Sequence, residues 1–279
     1  FAPTNAALAA LLDGNEQFLT PPYQAHLAHL LRFHAVAGSV YSDDLVDGML
    51  VNTSTNEGTE EPIMINVGDG VTVMGESFNL STVIEADIAA ENGVVHVVDT
   101  VFLPTALTES LLTIAESIEG FENIGRLLSV SNAESILQAE NRTIFAPGDT
   151  AFGNLDNAVF ARVGANETLV EVILNNHVFD GIYPASSLYD GMVLPTIDGV
   201  DHTVEISENG TVTVAGAVVE QTDNVASNGI AHVIAEVLIP DGALDVEDDD
   251  DDDENETPPP TGSAGAVVSG LVAMVVALL

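Results

Sequence analysis

Two rhythms of apolar residues run along the chain. Between Gln24 and Phe33 leucines stand at 27, 30 and 31, a helical spacing with one apolar face, and the alanine- and leucine-rich Asn5 to Leu12 predicts a shorter helix before it. Val36 to Leu50 turns back at Gly38 and Gly48 and reads as strands. Met64 to Val67 and Val71 to Met74 alternate around Gly68-Asp69-Gly70, which predicts a β-hairpin. Thr203 to Ile206 and Thr211 to Val214, around Glu208-Asn209-Gly210, predict another. Between them Leu111, Leu112, Ile114, Ala115 and Ile118 recur at helical spacing up to Gly120, and Phe121, Ile124, Leu127 and Leu128 begin a further helix. Two hairpins imply a mainly antiparallel sheet.

The pattern occurs twice. Asn92-Gly93-Val94-Val95-His96-Val97-Val98, running on to Pro104, returns as Asn228-Gly229-Ile230-Ala231-His232-Val233-Ile234, running on to Pro240. In each copy Asn-Gly is expected to make a turn through positive φ, followed by a core strand that stops before proline. Phe1-Ala2-Pro3 returns at Phe145-Ala146-Pro147, and Asp47-Gly48-Met49 at Asp190-Gly191-Met192. The offset shrinks only from 144 to 136 residues, far above the roughly 20 to 50 of a solenoid repeat, so the copies are tandem domains.

These segments resemble the fasciclin domain family. The likeness lies in the opening Thr143 to Phe152, the closing Asn-Gly-x-x-His-Val-Ile with its trailing proline, and, between them, Asn175-Asn176-His177-Val178 and Ser187-Leu188. It covers about residues 1 to 240. The resemblance implies an α+β fold, each domain a wedge of β-strands with helices packed near its start, and an extracellular adhesion or matrix protein without catalysis. On this reading residues 1–104 are a first fasciclin-like domain entered inside the family's opening segment, hence N-terminally truncated, and 105–240 a second. The short junction implies that the two touch. Residues 241–265 form an acidic, Pro-rich disordered stalk and 266–279 a hydrophobic tail.

Charge narrows the partners. Forty-four acidic residues face four arginines, Arg32, Arg126, Arg142 and Arg162, and the net charge is −40. Nucleic acid is excluded, because binding phosphates needs clustered positive charge. The absence of cysteine removes thiol catalysis, disulfides and thiolate metal sites. Six sequons, at Asn52, Asn79, Asn141, Asn166, Asn209 and Asn255, favour secretion and glycosylation. No nucleophile elbow, phosphate-cradling loop, dinucleotide fingerprint or His-Glu-x-x-His is present, and no cofactor is implied.

The histidines divide by setting. His26 and His29, one turn apart with His34 nearby, have the spacing of metal ligands; with no third ligand type beside them they are expected on the exposed flank of their helix, and no metal site is assigned. His96 and His232 are expected to bond backbone carbonyls. In animal relatives a tyrosine-histidine pair and an Asp-Ile pair are implicated in integrin contact. Here the first pair is Phe33-His34 and Asn176-His177, without the tyrosine, and the second is Asp87-Ile88, which becomes Asp223-Asn224 downstream. Asp87, Ile88, His34 and His177 are therefore the adhesion candidates.

Asp248 to Asp253, flanked by Glu247 and Glu254, repel one another into an extended spacer that gathers Ca²⁺ only diffusely, since no EF-hand loop is present. Ala266 to Leu279 is an uncharged apolar run of 14 residues, short of the roughly 20 that span a bilayer. It matches a removable lipid-anchor signal, with attachment at Asn255 or at Gly262-Ser263. The expected partners are cell-surface or matrix proteins and glycans, and the expected place the outer face of the plasma membrane. Two other readings stand beside adhesion: a polysaccharide-modifying or small-ligand enzyme with an interdomain cleft, and a polyanionic cation- or mineral-binding structural protein.

Overall fold

The computed structural model describes residues 1–55, 61–75, 80–117, 120–129 and 134–244. The sequons at Asn79 and Asn255, the aspartate run and the apolar tail lie outside the described residues. Residues Phe1–Leu244 form one compact unit.

The first repeat opens with β1 (Ala2–Pro3) and α1 (Asn5–Leu12), which Thr4 caps by accepting the Ala7 N–H at 3.1 Å. Two prolines start the turn that leads into α2 (Gln24–Phe33). Then come β2 (Met49–Asn52), β3 (Pro62–Val67), β4 (Val71–Met74), β5 (Leu80–Ala90) and β6 (Gly93–Val98). The sheet order is β1-β6-β5-β4-β3-β2, antiparallel throughout except that β1 runs parallel to β6.

The second repeat begins with three short helices, α3 (Leu111–Ser117), α4 (Glu122–Ser129) and α5 (Glu134–Gln138). β7 (Arg142–Pro147) follows, then α6 (Asp149–Gly153), α7 (Asn157–Ala165), α8 (Glu167–Asn175) and β8 (Val178–Asp180). β9 (Val193–Pro195), β10 (Asp201–Ile206), β11 (Val212–Val214), β12 (Ala217–Ala226) and β13 (Gly229–Ile234) complete it. The order β8-β7-β13-β12-β11-β10-β9 repeats the first sheet, with β7 parallel to β13. β8 is the addition: it pairs antiparallel with Arg142 to Ile144 of β7. Both predicted hairpins are present, Val67 facing Val71 and Ile206 facing Val212.

Two expectations are corrected. Residues 36–48 are mostly loop: Val36 makes one isolated bridge to Thr53, Ser42–Asp44 is a 3₁₀ turn, and the strand starts only at Met49. The Asn-Gly pairs make no positive-φ turn either. The turn residues are 91–92 and 227–228, and neither glycine has positive φ. Gly229 is required for approach: a Cβ there would stand 2.3 Å from the Arg142 carbonyl oxygen and 2.5 Å from Leu111 Cδ1, whereas one on Gly93 would meet nothing within 4 Å. Asn228 beside it is buried and ties the helical start to the sheet. Its Oδ1 accepts the Leu111 N–H at 2.8 Å, and its Nδ2 donates to Leu137 O at 2.7 Å and Ala139 O at 2.9 Å.

Each repeat has a core between sheet and helices or within the sheet wedge, and a further apolar cluster joins the repeats. Ala7, Tyr23, Leu30 and Val101 of the first pack with Leu107, Ile182, Val225 and Ile230. Burying these side chains stabilises the contact by about 1.5–3 kcal/mol for each large residue fully removed from water.

Candidate adhesion surface

Each long strand before the Asn-Gly segment carries a bulge. The register of β5 on β6 shifts between Val83 and Glu85 and between Glu85 and Ile88, and β12 on β13 shifts between Val219 and Gln221 and between Gln221 and Asn224. Each bulge holds an aspartate in the left-handed region, Asp87 at φ 60° and Asp223 at φ 62°. Aspartate bears this better than most residues because its short carboxylate satisfies nearby donors.

The bulge aims both ends of the aspartate. Asp87 N–H donates to His96 Nδ1 at 3.4 Å, and His96 Nε2 donates to Val40 O at 2.8 Å. In the second repeat Asp223 N–H donates to His232 Nδ1 at 3.2 Å and His232 Nε2 to Tyr183 O at 2.9 Å. A ring nitrogen that accepts an N–H carries no proton, so both tautomers are fixed. The expectation that these histidines bond carbonyls holds. The Asp87 carboxylate then accepts the Ser42 N–H at 2.8 Å and the Ser42 hydroxyl, bonds that hold it below the usual carboxylate range although it is exposed. Asp223 accepts the Ala185 N–H at 2.8 Å. Each aspartate thus clamps the loop that its own histidine also grips.

The profile of the fasciclin domain matches residues 1–104 and 119–240. The chain belongs to the fasciclin domain family. It is 30% identical over 246 residues to transforming growth factor-beta-induced protein ig-h3 of Sus scrofa, an alignment covering 87% of this chain and 35% of that protein. It is 30% identical over 253 residues to periostin of Homo sapiens, covering 88% and 29% respectively. The chain spans about a third of the length of these curated relatives. Among solved structures it is similar to a FAS1 domain pair from the insect cell adhesion molecule fasciclin I, with 22% identity, 87% of this chain and 88% of that chain covered, and a TM-score of 0.49.

On the two fasciclin domains the candidate residues separate into surface and interior. Asp87 and Ile88 are exposed, Ile88 at 38%. Asp87 bonds Ser42 in the loop that carries Tyr41, which is 44% exposed. His34 and His177 are buried, which corrects their assignment to a contact surface. Their Nδ1 atoms lie 2.8 Å from Leu30 O and 2.7 Å from Ile173 O, one helical turn back, and His177 Nε2 accepts the Leu238 N–H at 2.8 Å. Burial lowers both rings to about 4, so they are neutral near pH 7.

The exposed-flank expectation for His26 and His29 is overturned as well. His26 is fully buried at the contact between domains, its Nε2 2.9 Å from Gly229 O and 3.1 Å from Ala226 O, while His29 Nε2 lies 2.9 Å from Glu61 Oε2. The signal was present in the second copy, where the position of His26 is the apolar and buried Leu169. Among the described residues no group of three or more His, Cys, Asp or Glu side chains is arranged to hold a metal. Of the described sequons, Asn52, Asn141, Asn166 and Asn209 are exposed. Asn166 Oδ1 caps α8 by accepting the Leu169 N–H, and Asn209 Oδ1 accepts the Thr211 N–H; both bonds leave the amide nitrogen that would carry a glycan. Asn141 Oδ1 accepts the Tyr23 hydroxyl at 2.5 Å, a further tie between domains. No described helix is long and apolar enough to cross a membrane.

Proposed function

We propose that the chain is an extracellular, glycosylated adhesion or matrix-interaction protein that works by contact with cell-surface or matrix proteins and without catalysis. The observation that carries this reading is the clamp of the first domain, where Asp87 bonds Ser42 and where Ile88, next to it in the strand, is exposed. The second domain keeps the clamp but has Asn224 in place of Ile88, so the apolar contact belongs to the first. The contact between the domains is a packed apolar cluster, which favours adhesion over an enzyme with an interdomain cleft. The aspartate run serves as a stalk with diffuse affinity for Ca²⁺, and the apolar tail as a signal replaced by a lipid anchor at Asn255 or at Gly262-Ser263. Release of the protein from intact cells by a phosphatidylinositol-specific phospholipase supports the anchor; retention with Leu279 still at its C-terminus overturns it.

For the contact itself, Ile88→Glu sits on an exposed position and should leave the melting temperature unchanged while lowering the attachment of extracellular matrix or cells to surfaces coated with the chain. Unaltered attachment by the folded variant overturns the reading.

A further inference from the structure

The two domains differ in chemistry at one equivalent place in their cores. Counted from the shared Met49 and Met192, Ile63 of β3 stands where His202 stands in β10; Phe33 and Phe102 correspond to Asn176 and Leu238. In the first domain Phe33, Ile63 and Phe102 have zero exposure and close an aromatic core. In the second the same place is an open cavity of about 500 Å³, with Asn176, His202 and Leu238 in its wall and Asp201, Glu236 and Asp241 beside them. Its volume lies within the range of ligand sites, about 300 to 1,000 Å³.

The hydrogen bonds fix what the wall offers. Asn176 Nδ2 donates to Leu238 O at 3.0 Å, so its Oδ1 faces His202 and accepts from Nε2 at 2.9 Å. In a neutral ring Nδ1 is then an acceptor, and it has no hydrogen-bond partner among the described residues. Desolvation lowers the His202 pKa, which keeps the ring neutral at physiological pH. The three carboxylates are exposed, take part in neither ion pair of the described residues, and can only accept when ionised. The cavity therefore presents acceptors and negative charge to any occupant. Anionic glycans and phosphates are repelled, and no Phe, Tyr or Trp lines it to stack on a sugar ring. A bare metal ion does not fit either, since no three of these groups are arranged as ligands.

We infer that this cavity of the second fasciclin domain receives the cationic side chain of an arginine from a partner protein. The guanidinium supplies five donors in a planar fork, matching a ring acceptor and several carboxylates, and its three-carbon stem lies against Val237 and Leu238. The inference rests on the proposal that the chain acts by protein contact, but its test reads the cavity alone. The full chain is titrated with Nα-acetyl-arginine amide and followed by the NMR signals of the His202 ring and the Asn176 side-chain amide. Nα-acetyl-citrulline amide, the neutral isostere, and spermine, a free organic cation, are titrated in parallel. Saturable shifts confined to the cavity, absent with citrulline and weaker with spermine, are expected. Glu236→Gln and Asp241→Asn, exposed changes that do not disturb the core, should each weaken binding by about 2- to 5-fold. The triple change Asn176→Phe, His202→Ile, Leu238→Phe, read at the backbone amides of Val237 and Ile239 in the cavity wall because both reporter side chains are gone, should abolish it by restoring the closed core of the first domain. Equal shifts with citrulline, shifts insensitive to Glu236→Gln and Asp241→Asn, or no saturable shift overturn the inference. Tighter binding of spermine overturns its assignment to a partner's side chain. A failed titration leaves the Ile88→Glu attachment assay standing, and an unaltered attachment leaves the titration standing.

Discussion

Replacing Asn228 by alanine removes three hydrogen bonds at once, and the structure sets the size of the loss. The Leu111 N–H and the Leu137 carbonyl are buried with Asn228 as their partner, while the Ala139 carbonyl is only partly buried and turns to water. A buried group left unsatisfied costs about 1–3 kcal/mol, so the two buried ones together cost about 3 kcal/mol after partial relaxation. That is a large share of the roughly 5–15 kcal/mol that holds a domain folded. With a urea slope of about 2 kcal/mol/M the midpoint of the second domain falls by about 1.5 M. The control is internal: Asn92, at the equivalent turn, is exposed, and Asn92→Ala should change stability by less than about 0.5 kcal/mol, a midpoint shift under about 0.25 M. Asn228→Asp keeps the oxygen for Leu111 but sets acceptors against two carbonyls, so it should be no milder than alanine. Urea unfolding by circular dichroism gives the midpoints, and hydrogen exchange at the Leu111 amide shows whether α3 has come loose. Equal shifts for Asn228→Ala and Asn92→Ala, or a protected Leu111 amide in Asn228→Ala, refute the account.

Gly229→Ala should destabilise by about 3 kcal/mol, because its Cβ would strike the Arg142 carbonyl and Leu111, whereas Gly93→Ala, with open space around it, should change stability by less than about 1 kcal/mol and in the stabilising direction; thermal melts of the two variants compare them directly. Acid should unfold the protein well above the carboxylate range. His34 and His177 titrate at about 4 when folded and about 6.5 when unfolded, so these two rings cost no stability above pH 6.5 and take about 1.4 kcal/mol per pH unit each from there down to pH 4. The carboxylates lowered on folding, Asp87, Asp99 and Asp149, add a loss in the same direction only as the pH falls through their own range, below the histidine window. Urea midpoints at pH 7.5, 6.5 and 5.5 check this, and a midpoint that holds constant to pH 5 contradicts it.

Local signals in the chain reached as far as local causes do. The hairpins around Gly68-Asp69-Gly70 and Glu208-Asn209-Gly210 and the helices α1 and α2 follow from patterns within a few residues, and they form where those patterns place them. Residues whose role is set across the fold were misread. His26 is held by carbonyls some 200 residues away, so its setting does not show in the helix that carries it. The Asn-Gly pair has the composition of a positive-φ turn, yet Gly229 is there to let the Arg142 carbonyl come close, and Asn228 to bond α3 and α5. His34 and His177 match a surface motif in sequence, but a helical turn points each ring at the carbonyl four residues back and into the core.

The duplication itself separates architecture from function. Positions that perform the same bond in both domains are held by the fold: Asp87 and Asp223 clamp a loop, His96 and His232 bond a carbonyl, and His34 and His177 bond the preceding helix turn. A domain that shares its fold with its neighbour needs no difference in order to stand, so chemistry present in one copy alone requires another cause. Two such differences lie on accessible surface. Ile88 faces outward where the second domain has Asn224, and the His202–Asn176 pair lines an open cavity where the first domain buries Ile63 and Phe33. The first leaves one domain with an exposed apolar side chain and the second leaves the other with an acceptor-lined cavity. If both contacts engage the same molecule, the packed cluster that joins the domains gives each a local concentration it lacks alone, and changing both Ile88 and Glu236 should weaken attachment by more than the product of the single effects.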